Sequence, residues 1–341
     1  LNGKVSGKVN NFDAPSLVLP VAHSMFSVSA LKQVLEQTFK LAKVRCQLIK
    51  ATINEVYRVW SENGSFILRI HRSNQRNLAQ IKAELDLLGQ LKAQGFEVPT
   101  AISQPNTGEK VLTFSAPEGL RFGILFTFLE GSQLSKNPAT EIVQNLGQLL
   151  AQLHRLDTVF VPEFADNRLA IGFSEMVEES VAAFRETGLH SETVSYLEEV
   201  SRTLKLNFEQ FPDSVPYRGI VHGDLIPSNI LIRPDGKVQL VDFDFCGISW
   251  HIYDIASYLR ELDYWQAEPH LVTTFLESYQ QIRPLAEWEL TALPVMKAAT
   301  IVSAYGVPAA NVNTWGSAYL SDSLVNNLTK SLQRSMAEIN Q

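Results

Sequence analysis

Cysteine is scarce. The two present in 341 residues, Cys46 and Cys246, rule out a disulfide framework and have no metal-ligand spacing. They read as reduced, buried thiols of a cytoplasmic protein. Long hydrophobic runs are also lacking: none reaches the roughly 18 residues that span a bilayer. Residues 16–22 are apolar but short, and Pro20 breaks them. Neither a membrane span nor a signal peptide is expected. Positive charge is in deficit, with 29 Lys and Arg against 36 Asp and Glu. A net charge of −7 argues against nucleic acid as a main partner. Internal repeats and low-complexity tracts are absent. Apolar residues make up 45% of the chain, enough for a substantial core that divides into two lobes.

The most informative stretch is His222-Gly223-Asp224, then Asn229, then Val241-Asp242-Phe243-Asp244. An amide follows the first acid by five residues, and a second acid follows the amide by thirteen. Between them, Ile230-Leu231-Ile232 and Val238-Gln239-Leu240-Val241 flank Asp235-Gly236, which predicts two short strands and a turn. Such a hairpin folds Asp242 back beside Asp224 and Asn229. One carboxylate can then take a hydroxyl proton, while the amide and the other carboxylate hold Mg²⁺ on the phosphates of ATP.

Residues 1–24 have little periodicity and read as an extension outside the catalytic fold. An amphipathic helix is expected over 28–41, capped by Ser29, with Leu31, Val34, Leu35 and Phe39 inward. Alternation then predicts strands around Val56–Trp60 and Phe66–Ile70, with Gly64 at the turn. In the next helix, over 81–94, Ile81, Leu88 and Leu91 form an apolar stripe, and Glu84 falls within it. A carboxylate there needs a cationic partner. Asn137-Pro138 predicts a helix start, followed by a stripe of Ile142, Leu146, Leu149, Leu150, Leu153 and Leu156.

His222-Gly223-Asp224-Leu225-Ile226-Pro227-Ser228-Asn229-Ile230-Leu231, with Val241-Asp242-Phe243-Asp244-Phe245-Cys246-Gly247 and Tyr253-Asp254-Ile255-Ala256, closely resembles the aminoglycoside phosphotransferase and choline kinase-like family. The resemblance runs from about Met25 to the C-terminus. Ile226 departs from it, since many members carry His there. Protein-kinase wording (His-Arg-Asp, Asp-Phe-Gly, Ala-Pro-Glu) is missing. The resemblance implies an α+β, bilobal protein kinase-like fold. Residues 25–130 would form a small ATP-binding lobe of antiparallel sheet and one main helix. Residues 131–341 would form a larger, mostly helical lobe for catalysis and substrate.

It also implies roles. Asp224 would be the catalytic base, and Asn229 and Asp242 the Mg²⁺ ligands. Arg69 would be the strand cation on the ATP phosphates, paired with Glu84. At the hinge, Thr127 would offer its carbonyl and Leu129 its N–H to adenine, with Phe126 at the back of the pocket. The nucleotide-covering stretch 49–57 contains no glycine, unlike a Gly-rich kinase loop. His154 and His222 read as scaffold. Asp254 would cap a helix or brace the catalytic loop, and Asp244 would reach a second metal or orient the loop. Glu261, Asp263, Trp265, Glu268, Trp288, Tyr305 and Trp315 are candidates for an acceptor pocket. The expected reaction is transfer of the γ-phosphoryl of ATP to a hydroxyl of a small molecule: an amino alcohol, an aminoglycoside or a related alcohol. The alternatives are a Ser/Thr protein kinase of the same fold and a nucleotide-binding module without turnover.

Overall fold

The structure, a computed structural model, describes residues 19–156, 166–188 and 191–339. Most of the expected N-terminal extension, residues 1–18, lies outside the described residues.

Helix α1 (Val28–Phe39) comes first and buries Leu31, Leu35 and Phe39. Its N-cap is Ser27, and Ser29 lies within the first turn, one step inside the expected start. Five strands follow in one antiparallel sheet of order β1-β2-β3-β5-β4: β1 (Arg45–Ala51), β2 (Asn54–Ser61), β3 (Gly64–His71), β4 (Val111–Ala116) and β5 (Gly119–Thr127). Between β3 and β4 runs α2 (Leu78–Ala93), started by a capping box in which Asn77 and Gln80 satisfy each other's backbone N–H. The period of 2 sorts β3 into two faces. Leu68 and Ile70 join Tyr57, Val59 and Leu125 in a core beneath α1. Ile67 and Arg69 point the other way, toward α2 and the cleft.

The chain crosses through Leu129–Gly131 into the larger lobe. There β6 (Ser132–Gln133) pairs with β9 (Ile230–Ile232), which pairs with β10 (Val238–Leu240). The expected hairpin is present, with Val238 opposite Ile232 and Gly236 at φ 82° in its turn. A third sheet joins β7 (Leu169–Ala170), β8 (Arg218–Val221) and β11 (Gly247–Trp250). Among the described residues, the α-helices of eight residues or more in this lobe are α3 (Thr140–His154), α4 (Glu179–Glu186), α5 (Ser191–Phe208), α6 (Ile252–Trp265), α7 (Pro269–Gln280), α8 (Glu287–Ala310) and α9 (Asp322–Ile339). Helix α3 begins two residues past Pro138, with Ala139 as N-cap. Its buried stripe is Val143, Leu146, Leu150 and Leu153, while Ile142 and Leu149 only flank the core.

Helix α8 is long and apolar enough to cross a membrane by length and composition. Its apolar stretch is mostly buried, and it packs on α4, α6 and α9 as a core helix. Cys246 is buried as expected, whereas Cys46 is only half-buried; both are free thiols.

Candidate active site

The candidate catalytic loop leaves β8 through His222-Gly223-Asp224. Gly223 has φ 81°, and a Cβ on it would sit 2.0 Å from the Phe245 carbonyl oxygen, so glycine alone fits this crossing of two loops. Asp254, in the first turn of α6, holds the loop from below. Its carboxylate accepts from the His222 N–H at 2.6 Å and the Gly223 N–H at 3.0 Å. His154 Nε2 lies 3.2 Å from the same carboxylate, and His154 Nδ1 lies 2.8 Å from Tyr279 Oη. His222 Nε2 bonds the Val241 carbonyl at 3.0 Å and so ties the loop to the residue just before Asp242, past the end of β10.

Asp224 and Asn229 meet directly. The Asn229 amide nitrogen donates to Asp224 Oδ2 at 2.7 Å and to the Asp224 carbonyl at 2.9 Å. Burial, then the charge of Asp242, pushes the Asp224 carboxyl up to about 7, against the opposing pull of Arg260. Asp242 sits at φ 62°, in the left-handed region, where a non-glycine residue is strained. Its side chain is 41% exposed, and Arg69 Nη1 lies 3.4 Å from its Oδ1.

Arg69 and Glu84 form the pair that the apolar stripe demanded. Arg69 Nη2 donates to both Glu84 oxygens, at 2.7 and 2.6 Å, with both side chains buried. Burial disfavours the guanidinium charge, but Glu84, Asp244 and Asp242 outweigh it and raise the Arg69 pKa.

These groups stand at the polar end of a cavity of about 250 Å³ between the lobes. Val56 and Ile67 wall one side, Leu231 and Val241 the other, and Phe126 lies at the inner end under Arg69. Thr127 and Leu129 border it, so every residue expected at the site lines or adjoins one cleft. The Thr127 N–H is already bonded to the Thr100 carbonyl, at 2.9 Å.

Asp244 turns away from this cavity. It is fully buried, and its carboxylate accepts from Asn54 Nδ2 at 3.0 Å. Burial works against its charge, yet Arg69, His71, Arg76 and the Asn54 bond hold its carboxyl well below the usual range. Ligand-type atoms of His71, Glu84 and Asp244 lie within 4.8 Å of one another. Both Glu84 oxygens are already taken by Arg69, and Arg76 lies 3.4 Å from Asp244, so the cluster is an ion-pair network between the lobes.

Sequence reasoning missed Arg168. It is buried and donates to the carbonyls of Phe243, Asp244 and Cys246, and to the Gln80 carbonyl on α2. No motif marks it. Among the acceptor candidates, Glu261, Asp263 and Tyr305 line a second cavity of about 700 Å³ between α6, α7, α8 and α9. Trp288 does not; it packs on Tyr217 at 5.1 Å and Phe211 at 5.6 Å.

The sequence model described as "Phosphotransferase enzyme family" matches residues 45–292, which hold the whole constellation. The chain belongs to this family. It is a small-molecule phosphotransferase with a hydroxyl acceptor. The phosphotransferase is 28% identical over 255 residues to a homoserine kinase of Mesorhizobium japonicum, covering 73% of this chain and 75% of that one. Its fold is shared with a microcompartment-associated aminopropanol kinase, at TM-score 0.73 and 20% identity, over 91% of this chain and 95% of that one. An amicoumacin kinase in complex with AMP-PNP and Ca²⁺ is equally close in fold, at TM-score 0.73 and 21% identity over 90% and 92% of the two chains.

Proposed function

We propose that this phosphotransferase moves the γ-phosphoryl group of ATP, bound with Mg²⁺, to the hydroxyl of a small amino-bearing alcohol. The observation that carries the reading is the convergence of Asp224, Asn229, Asp242 and Arg69 at the polar end of one apolar cavity. The donor set suits a hard divalent cation. Asn229 commits its amide nitrogen to Asp224, which leaves its oxygen as the remaining donor, and Asp242 presents an exposed carboxylate to the cleft. Asn229 and Asp242 would hold Mg²⁺, which when bound neutralises charge on the phosphates.

The chain's own residues supply the rest. Asp224, with a carboxyl near neutrality, orients the acceptor hydroxyl and accepts its proton. Arg69, fixed by Glu84, grips the phosphates. The Thr127 carbonyl and Leu129 N–H meet the adenine edge, and Phe126 closes the pocket behind it. Because the transition state is loose, positioning and charge supply most of the acceleration.

The acceptor belongs in the 700 Å³ cavity. Arg260 stands at its end nearest the catalytic loop, close enough for its charge to act on Asp224. Glu261, Asp263 and Glu338 bring carboxylates, and Tyr264 and Tyr305 bring ring faces. Both signs of charge in one cavity suit an amino alcohol, including one that also carries a carboxylate, as homoserine does. A cytoplasmic site of action fits the two free thiols, and the net charge of −7 fits a small-molecule rather than a nucleic-acid substrate.

A coupled ADP-release screen with Mg-ATP over homoserine, aminopropanol, ethanolamine, choline and aminoglycosides tests this. Turnover that requires one such alcohol and vanishes in Asp224→Asn is the expected result. Labelled phosphate passing only to protein, with no alcohol accepted, would reject it.

A further inference from the structure

The glycine-free turn over the cleft has a compensating feature in the strand that leads into it. Strand β1 runs in register with β2 as far as Leu48, which lies opposite Tyr57. The next pair is Lys50 opposite Val56. Two steps on β1 match one on β2, so Ile49 is the extra residue of a β-bulge. Residues directly opposite in an antiparallel pair share a face. Tyr57 belongs to the core under α1, whereas Val56 lines the 250 Å³ cavity beside Arg69 and Asp242. An unbroken strand would put Ile49 opposite Val56 and turn Lys50 toward the α1 core. The bulge instead sets the Lys50 side chain on the cleft face.

Lys50 is exposed there. Its backbone pairs with Val56, but among the described residues its side chain takes part in no hydrogen bond or ion pair. Its charge nonetheless reaches both acids of the site and acts to lower the pKa of Asp224 and of Asp242. Of the other cations on this face, Arg69 is already held in two hydrogen bonds by Glu84, and Arg58 is stacked over the Phe128 ring at 3.0 Å. The turn that follows, Ala51-Thr52-Ile53, carries a Cβ on every residue, which limits the close backbone approach that a Gly-rich loop offers to phosphate.

We propose that Lys50, set over the cleft by the bulge at Ile49, is a nucleotide-binding residue whose ammonium contacts the γ-phosphate of ATP in place of the backbone amides of a Gly-rich turn. This rests on the reading of the 250 Å³ cavity as the ATP site. A contact to the terminal phosphate distinguishes ATP from ADP, and an interaction with a charged group of this kind corresponds to about tenfold to a hundredfold in affinity.

Titration calorimetry with Mg-ADP and Mg-AMP-PNP on the wild type, Lys50→Met and Lys50→Arg tests the assignment. Lys50→Met is expected to lose about tenfold or more in AMP-PNP affinity and to keep ADP affinity within about twofold. Lys50→Arg, which keeps the charge, is expected to retain most of the AMP-PNP affinity. Equal AMP-PNP binding by Lys50→Met and the wild type would overturn the assignment, and so would equal losses on both nucleotides. Those outcomes leave the ATP-site reading standing if the wild type binds both nucleotides. A wild type that binds neither would overturn that reading and the role of Lys50 with it.

Discussion

On the proposed reading Asp224 carries the proton chemistry, and its environment sets a cost on that role. Its carboxyl lies at about 7 in the folded protein against an ordinary 3.8. Between those values the folded chain keeps a proton that the unfolded chain has released, so the Asp224 contribution to stability falls as pH rises through this window and is level above it. Asp224→Asn carries no charge to bury. It should lose about 10²–10⁴ in turnover, yet melt above the wild type by a margin that grows from about pH 4 to about pH 7. Thermal melts without Mg²⁺ check this, and a margin that shrinks with pH would show that the carboxylate ionises there without penalty. Arg69 and Glu84 should act as a unit. Removing either partner of a buried pair costs about 3–5 kcal/mol, so Arg69→Met and Glu84→Gln should each be damaging, and the double variant should lose far less than the sum. Additive losses in denaturant unfolding would deny the coupling. At this scale the sequence was legible where a residue broke its local pattern. Glu84 interrupts an apolar stripe, and Asp224 and Asn229 lie five apart in one loop. Arg168 was not legible, because its carbonyl partners at Phe243, Asp244 and Cys246 lie more than 70 residues away.

Among the elements, the N-terminal segment behaves differently from its sequence pattern. It lacks periodicity, but its described end docks on the sheet. Ser24 donates to Glu118 from its backbone N–H at 3.1 Å and its hydroxyl at 2.8 Å, and the Ser24 carbonyl accepts from Arg121 at 2.8 Å. Arg121 is fully buried and also pairs with buried Glu55, one residue from Asn54. These contacts cross the boundary expected after residue 24. Deleting residues 1–24 would strip partners from Arg121 and Glu118, at about 1–3 kcal/mol for each buried group left unsatisfied. A clear fall in melting temperature is the expected outcome, and an unchanged one would show that the docking contributes nothing. Polar docking of this kind has no period for a sequence to display. The β1 bulge was hidden for a related reason: the pairing partner, and not β1 alone, fixes where register slips. The helix over 81–94 and the hairpin with Gly236 were visible from local periodicity and turn residues, whereas the Asn77–Gln80 box that starts α2 three residues earlier, at Leu78, was missed.

Over the whole molecule, the lobes meet through charges as well as the hinge. Asn54 reaches Asp244, Arg69 reaches Asp242, Arg168 spans from Gln80 to the carbonyls of Phe243, Asp244 and Cys246, and Glu97 receives Arg233 in two bonds of 2.8 Å. On the proposed reading, a nucleotide bound between them would add to that connection. A ligand that binds only the folded state stabilises by about 2.7 kcal/mol at one hundred times its Kd. Mg-ATP should therefore raise the melting temperature, and EDTA should cancel most of the shift. An equal shift by ATP with and without EDTA would remove Asn229 and Asp242 as Mg²⁺ ligands.

The sequence by itself determined the fold class, through its resemblance to a known family, and the grouping of Asp224, Asn229 and Asp242 proposed as the catalytic site. That grouping and the local elements rest on short-range patterns: a loop that spaces Asp224 from Asn229, a hairpin that returns Asp242, and alternation that sorts each strand into two faces. Tertiary structure alone decided what surrounds them. The turning of Asp244 away from the cleft, the bracing of the catalytic loop by Asp254 and His154, the clasp of Arg168, the docking of Ser24 and the facing of Lys50 are all contacts between elements remote in sequence. Their energies come from burying charges and hydrogen-bonding groups that find partners only when the lobes are assembled, and no local pattern encodes which partner arrives.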